Sequence, residues 1–319
     1  MACHQELRFA ASPVVPLKFD SLRRERFVSA IISGIKYKMK LLRFGPPGQE
    51  QPGLLDAQGR IRSLVGIVPD LTGDVLTPEG LARLRELNPA RLPEVQGLPR
   101  LGPPVAQVRQ FMALGLNYAL HAKEANVAIP QFPAVFSKAV TSISGPNDDI
   151  PIYPGSVKLD YEAELAFVIG SRAHRVPEAQ AMDHVAGYCI CNDVSEREWQ
   201  IDRGGTLSKG KSAPGYGPIG PWLVTADEVP DPQALRVRTF VNGEIRQDGN
   251  TSDMVVSVAR FIAHLSEFMV LLPGDVLTTG TPAGVALGMQ PPRWLRAGDE
   301  VRIDIERLGE LRQRVVAVA

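Results

Sequence analysis

Cysteine is scarce in this chain. Three in 319 residues, Cys3, Cys189 and Cys191, cannot build a disulfide framework. Cys189 and Cys191 fall on one face of the apolar stretch CICND. Small buried residues are the expectation there, and a reducing compartment, the cytoplasm, is the simplest setting. Aromatic residues make up only 6%, which leaves no stacking platform for nucleobases. Charge of one sign is missing too. Lys plus Arg and Asp plus Glu stand at 35 each, so no net charge draws the chain to nucleic acid or to an anionic membrane. No apolar run approaches the roughly 20 residues of a membrane span. GxGxxG, a phosphate loop, a CxxC pair, internal repeats and low-complexity segments are all absent.

What remains is a globular composition, 44% hydrophobic. FVSAIISGI, residues 27–35, follows RRER and has the outline of a signal peptide, but KYKMK comes next instead of a small-residue cleavage site. Met39 opens MKLLRFGPPGQE in the manner of a natural start. Residues 1–38 are therefore expected to be a disordered extension or a misassigned start. Residues 39–105 read as a small α+β domain. It has strands at KLLRF, PGLLD and IRSLVG and a helix over 76–88, capped by Thr77 with Pro78 at its first position. The Pro- and Gly-rich residues 98–108 mark the boundary. Residues 106–319 are strand-rich, with turn dipeptides in VNGE and QDGN and helices over 118–126 and 257–269. Strands and helices seldom alternate, so the fold class is α+β, mostly β, and not a doubly wound parallel sheet.

The informative stretch is KLDYEAELAFVIG, residues 158–170. At period two, Glu162 and Glu164 share a face, and the strand then becomes apolar on both sides. Two neighbouring carboxylates at the mouth of a core face solvent, pair with Lys or Arg, or bind a cation. GYCICNDVSER, residues 187–197, favours the third outcome, because Asp193 ends a second apolar strand. Three carboxylates without His or Cys select a hard cation, Mg²⁺, Mn²⁺ or Ca²⁺. Upstream, His121 and Glu124 lie three apart on a helix face, the spacing of a carboxylate-oriented general base, although an exposed polar helix has the same spacing. Lys211 sits in a Gly- and Pro-rich loop, where it is either solvated or, beside a metal, a stabiliser of negative charge. His4, His174 and His184 carry no such pattern. His264 lies on an apolar helix face and is expected in the core.

These motifs, in order, resemble the fumarylacetoacetate hydrolase superfamily: GLNYALHAKE, FSKAVTSISGPNDDIPIYPGS, KLDYEAELAFVIG, GYCICNDVSEREWQ, KGKS, GPIGPWLVT and GDVLTTGTPAGVALG. The resemblance covers roughly residues 108–319, and residues 39–64 are similar to the small N-terminal domain of bacterial members. Within the superfamily the chain is most similar to the 2,4-diketo-3-deoxy-L-rhamnonate hydrolase and acylpyruvase group, often labelled ureidoglycolate lyase. The resemblance implies a mixed β-sandwich roll for 106–319 and a homodimer. It implies Mg²⁺ or Mn²⁺ on Glu162, Glu164 and Asp193, and a lid helix carrying His121 and Glu124. It also implies Lys211 as the active-site lysine, with Arg197, Gln200 and Thr281 facing substrate. One departure stands out. Where many members read K-S-x-D-T-F, this chain has Lys211-Ser212-Ala213-Pro214-Gly215-Tyr216.

The activity this implies is metal-dependent hydrolysis of a C–C bond in a 2,4-diketo acid, an acylpyruvate, releasing pyruvate. Its partner is then a small 2-oxo acid, with no nucleic acid and no membrane. The same site would serve decarboxylation or tautomerisation of oxaloacetate-like acids, or ureidoglycolate cleavage, and an inactive binding scaffold is the remaining alternative.

Overall fold

The computed structural model describes residues 39–318; the expectations for residues 1–38 lie outside them. The described residues are mostly β. The larger sheet has eleven strands. Its central path runs Lys40–Phe44, Gly217–Thr225, Val185–Asn192, Ala163–Ile169, Val276–Thr278, Phe111–Gly115 and Ala134–Lys138. Antiparallel and parallel pairs are mixed, for Val276–Thr278 runs parallel to Phe111–Gly115. The first strand of the N-terminal segment bonds directly to a strand of the C-terminal part, Leu41 opposite Leu223. A second sheet of five strands holds Arg236–Val241, Glu300–Ile305 and Gly309–Ala317.

The strand Ala163–Ile169 is apolar on both faces because both are covered. Leu165, Phe167 and Ile169 join a core with Val237, Ile303 and Leu311 of the second sheet. Ala166 and Val168, with Cys189 and Cys191 from the adjacent strand, pack toward Leu41, Leu54, Leu81 and Leu84. The two cysteines are free and buried, and burial pushes the Cys189 thiol up to about 12. The expected continuous strand over 158–170 is in fact two pieces, Leu159–Asp160 and Ala163–Ile169. The first pairs with Ser195–Glu196, which opens the sheet where the carboxylates lie.

The three helices expected from the sequence form, each shorter than its expected range, and short helices outside those ranges cover Glu178–Ala181, Glu198–Asp202 and Leu207–Lys211. Pro78–Arg85 is capped by Thr77, whose hydroxyl accepts from the Gly80 amide. Ala119–Glu124 and Val258–Phe268 complete the expected three. VNGE makes the expected hairpin turn, with Asn242 and Gly243 both at positive φ. QDGN does not turn: it lies inside the strand Glu244–Asn250. Gly249 is there for close approach, since a Cβ would stand 2.6 Å from Pro282 Cβ. His264 is not in the core either; it is half-buried, edge-on to exposed Phe268. Among the described residues no helix is long and apolar enough to cross a membrane.

Candidate active site

The sheet register assembles the acidic cluster. Ala163 stands opposite Asn192 and Glu164 opposite Cys191, so one step beyond the strand ends Asp193 faces Glu162. The Asp193 amide donates to the Glu162 carbonyl at 2.9 Å. Glu162, Glu164 and Asp193 are all buried, and each offers one carboxylate oxygen within 4.8 Å of the others.

Three buried cations thread this cluster. Lys211 Nζ donates to Glu162 Oε2 at 2.6 Å, Asp193 Oδ2 at 2.7 Å and Ser195 Oγ at 2.7 Å. Arg197 bridges Glu162 Oε1 at 2.6 Å and Asp160 Oδ2 at 2.9 Å. Lys138 Nζ donates to Asp193 Oδ1 at 2.5 Å and to the carbonyls of Lys211 and Tyr216. Four carboxylates, counting Asp160, thus face three cations. Glu164 is the one that no cation hydrogen-bonds; its Oε2 accepts the Gly280 amide at 2.9 Å. Burial would raise the Glu162 pKa, but the charges of Lys211 and Arg197, then His121, hold it well below the usual carboxylate range. Burial raises Glu164, and the charges of Asp193 and Glu162 add to it, so its carboxyl is held well above that range. Burial alone would lower Lys211; Asp193 and Glu162 outweigh it and keep the ammonium charged.

Three converging buried carboxyl groups, one of them bonded by no side-chain cation, and an all-oxygen donor set fit a hard divalent cation. Glu162, Glu164 and Asp193 are the residues that would hold it.

A cavity of about 380 Å³ opens on this cluster, lined also by His121, Arg197, Gln200, Lys211 and Thr281. His121 Nδ1 lies 2.9 Å from Glu124 Oε1, and Glu124 is itself held by the Gly284 amide, at 3.1 and 2.9 Å. That leaves the His121 Nε2 without a partner among the described residues. Asn117 anchors the segment before this helix by bonds to both the amide and carbonyl of Val256 and to the Thr279 carbonyl. Gln200 accepts from Arg197 through its Oε1 at 3.0 Å. The Thr281 hydroxyl is engaged, donating to the Ala163 carbonyl and accepting from Gln247.

All nine residues singled out from the sequence line this cavity or, for Glu124, hold a residue that does. The altered lysine loop has a structural explanation. Ala213–Tyr216 is a turn closed by the Tyr216 amide on the Ala213 carbonyl, with Pro214 second and Gly215 third at φ +81. Pro-Gly suits a type II turn, and the turn leaves Lys211 in place because Lys138 grips the carbonyls on both sides of it.

Sequence reasoning missed Lys138 and Asp160. Lys138 ends the strand AVFSK and is almost completely buried, which its place at a strand end does not signal. Asp160 accepts the amides of Tyr161, Ala286 and Leu287 besides Arg197, tying the segment after Gly284 to the ion cluster.

Comparison with known proteins gives the family. Residues 110–316 match the family model described as fumarylacetoacetate (FAA) hydrolase, C-terminal. A Burkholderia multivorans protein, whose name places it provisionally among hydrolases, is 60% identical over 273 residues, 85% of this chain and 97% of its own. The fumarylacetoacetate hydrolase of Exiguobacterium antarcticum superimposes with a TM-score of 0.78 at 36% identity, covering 88% of this chain and 100% of that one. Maleylpyruvate hydrolase from Sphingobium sp. SYK-6, in complex with manganese(II) and pyruvate, gives 0.74 at 28%, with the same coverage. The chain belongs to the fumarylacetoacetate hydrolase family.

Proposed function

We propose that this chain hydrolyses the C3–C4 bond of a 2,4-diketo acid, an acylpyruvate, releasing pyruvate and a carboxylic acid. The observation that carries the reading is the His121–Glu124 pair, which opens into the same cavity as the three carboxylates. The 2-oxo acid head belongs at Glu162, Glu164 and Asp193. A divalent cation held there, Mg²⁺ or Mn²⁺, supplies Lewis-acid stabilisation of the charge that develops on the head. The neighbour holding manganese and pyruvate supports this assignment.

The protein's own groups do the rest. Glu124 fixes the His121 ring through Nδ1 and stabilises its protonated form, leaving Nε2 to take a proton from water. The hydroxide adds to the C4 carbonyl. The C3–C4 bond then breaks, its electron pair staying on C3 as the pyruvate enolate, while C4 leaves as the acid. The proton on His121 returns to C3. The ammonium of Lys211 and guanidinium of Arg197 offset negative charge at the head throughout.

The test is pyruvate release from acetylpyruvate and 2,4-diketo-3-deoxy-L-rhamnonate with Mg²⁺ or Mn²⁺, with chelator, and in His121→Ala. Release that needs both metal and His121, falling about 10²–10⁴-fold in the variant, supports the hydrolase. A second reading draws on a neighbour, 5-carboxymethyl-2-hydroxymuconate delta-isomerase of Mycobacterium smegmatis, at 31% identity. Isomerisation or decarboxylation needs the charge sink and no water. Oxaloacetate losing CO₂ in His121→Ala, with no acylpyruvate cleaved by the intact protein, would select it.

A further inference from the structure

The cavity has two chemically different ends, set by two short helices. Arg197 precedes the π-helical turn Glu198–Asp202, and Ile201 follows it by four residues. Leu207 begins the helix Leu207–Lys211, and Lys211 ends it four residues later. Residues four apart share a helix face, so each helix presents a cation at the carboxylates and an aliphatic side chain about one turn away. The helices reverse through residues 203–206 and pack closely, since a Cβ on Gly210 would lie 2.5 Å from Gln200 Cβ. Both aliphatic residues therefore sit at the same end.

The wall beside them is equally apolar. A Cβ placed on Gly115 would be 3.5 Å from Leu207 Cδ1 and 3.8 Å from Phe136 Cε1, so these three adjoin. The Phe136 ring in turn lies 5.5 Å from Lys211 Nζ, which makes it the junction between the two ends. Val127, after the helix Ala119–Glu124, lines the same cavity. Among the described residues that line it, the lysine and the arginine, Lys211 and Arg197, are already bonded to carboxylates.

We propose that the site takes a 2-oxo acid whose far end is an uncharged apolar tail, alkyl or aryl, and discriminates against a second carboxylate or a polyhydroxylated tail. This rests on the placement of the 2-oxo acid head argued above. A distal carboxylate would lose water and gain no cation; a tail of hydroxyls would lose water to aliphatic walls. A methylene gains, by burial, roughly three- to fourfold in affinity. The cavity holds about a dozen water volumes at ~30 Å³ each, room for a tail beyond the head.

Calorimetry tests this without turnover. Mg²⁺ is titrated first, then pyruvate, 2-oxooctanoate and 2-oxoadipate in its presence. The expected order is 2-oxooctanoate at least tenfold tighter than pyruvate, with 2-oxoadipate no tighter than pyruvate. Gly115→Val, whose side chain would fill the apolar wall from a strand position, lowers the octanoate-to-pyruvate ratio at least threefold. Leu207→Arg raises the adipate-to-pyruvate ratio. Equal affinity for octanoate and pyruvate, or preference for adipate, overturns the inference. Adipate preference together with acylpyruvate cleavage leaves the hydrolase standing and removes only the tail. Octanoate preference without any cleavage removes the hydrolase and leaves the tail. No binding of any 2-oxo acid overturns both.

Discussion

The helices Glu198–Asp202 and Leu207–Lys211 hold two kinds of surface within one turn of each other, and the contrast is instructive. At the closed end, Arg197 and Lys211 are almost completely buried and each bonds two carboxylates. At the mouth, Ile201 is 50% exposed and Leu207 half-buried, and their side chains carry no polar group to fix them. A buried charge network tolerates little change, because removing one partner leaves another uncompensated. An aliphatic mouth can change residue by residue at small cost. The geometry thus separates what carries the chemistry from what selects the substrate.

The largest expected effect comes from breaking the closed end at its uncompensated member. Glu164→Gln keeps the shape and the Gly280 contact but removes the one carboxyl of the cluster that no side-chain cation bonds, and with it a group that would hold the metal. Metal-dependent pyruvate release should fall by about a thousandfold or more, since Lewis-acid stabilisation is worth several kcal/mol. The apo protein should melt at about the same temperature, because burial and its neighbours already hold the Glu164 carboxyl well above the usual carboxylate range and the amide replaces a neutral group of the same shape. An apo protein that melts several degrees lower, with metal affinity intact, would mean that the three carboxylates are a structural cluster.

Lys138→Met comes next. The ammonium neutralises Asp193 and clamps the two carbonyls that bracket the Pro214-Gly215 turn. Breaking one side of a buried pair costs about 3–5 kcal/mol. Denaturant unfolding should show that loss, together with weaker metal binding, because Asp193 loses a group that fixes it. An unchanged midpoint would show that Lys211 alone suffices to hold Asp193.

How much of this could be read from the residues depends on the same contrast. Glu162, Glu164 and Asp193 were legible because carboxylates interrupting apolar strands have few inexpensive explanations. His121 and Glu124 were legible through helical spacing. Lys138 was not: a lone lysine at a strand end is ordinarily solvated, and only the register Phe111 opposite Lys138 buries it. Asp160 was not singled out, because its four partners come from three separate segments that the sequence does not bring together. Gly249 read as a turn because Asp-Gly usually is one; the approach of Pro282, 33 positions later, overrode it. The apolar mouth was the least legible part. Leu207, Ile201 and Gly115 belong to three elements, and nothing in their spacing says that they adjoin.

The smallest expected effect sharpens the comparison from the other side. Ile201→Ala removes a half-exposed side chain that no polar group depends on. Full burial of an isoleucine is worth about 1.5–3 kcal/mol, and half of that is already forgone here. Stability should therefore shift by less than about 1 kcal/mol, within the range of ordinary surface changes. The octanoate-to-pyruvate affinity ratio should nonetheless fall, by roughly two- to fourfold, because that face is what a tail would cover. A stability loss comparable to that of Lys138→Met would mean that the mouth is a structural core in its own right and that the two ends are not independent. A normal melt with an altered ratio would place selection at the mouth and chemistry at the carboxylates, one helical turn apart.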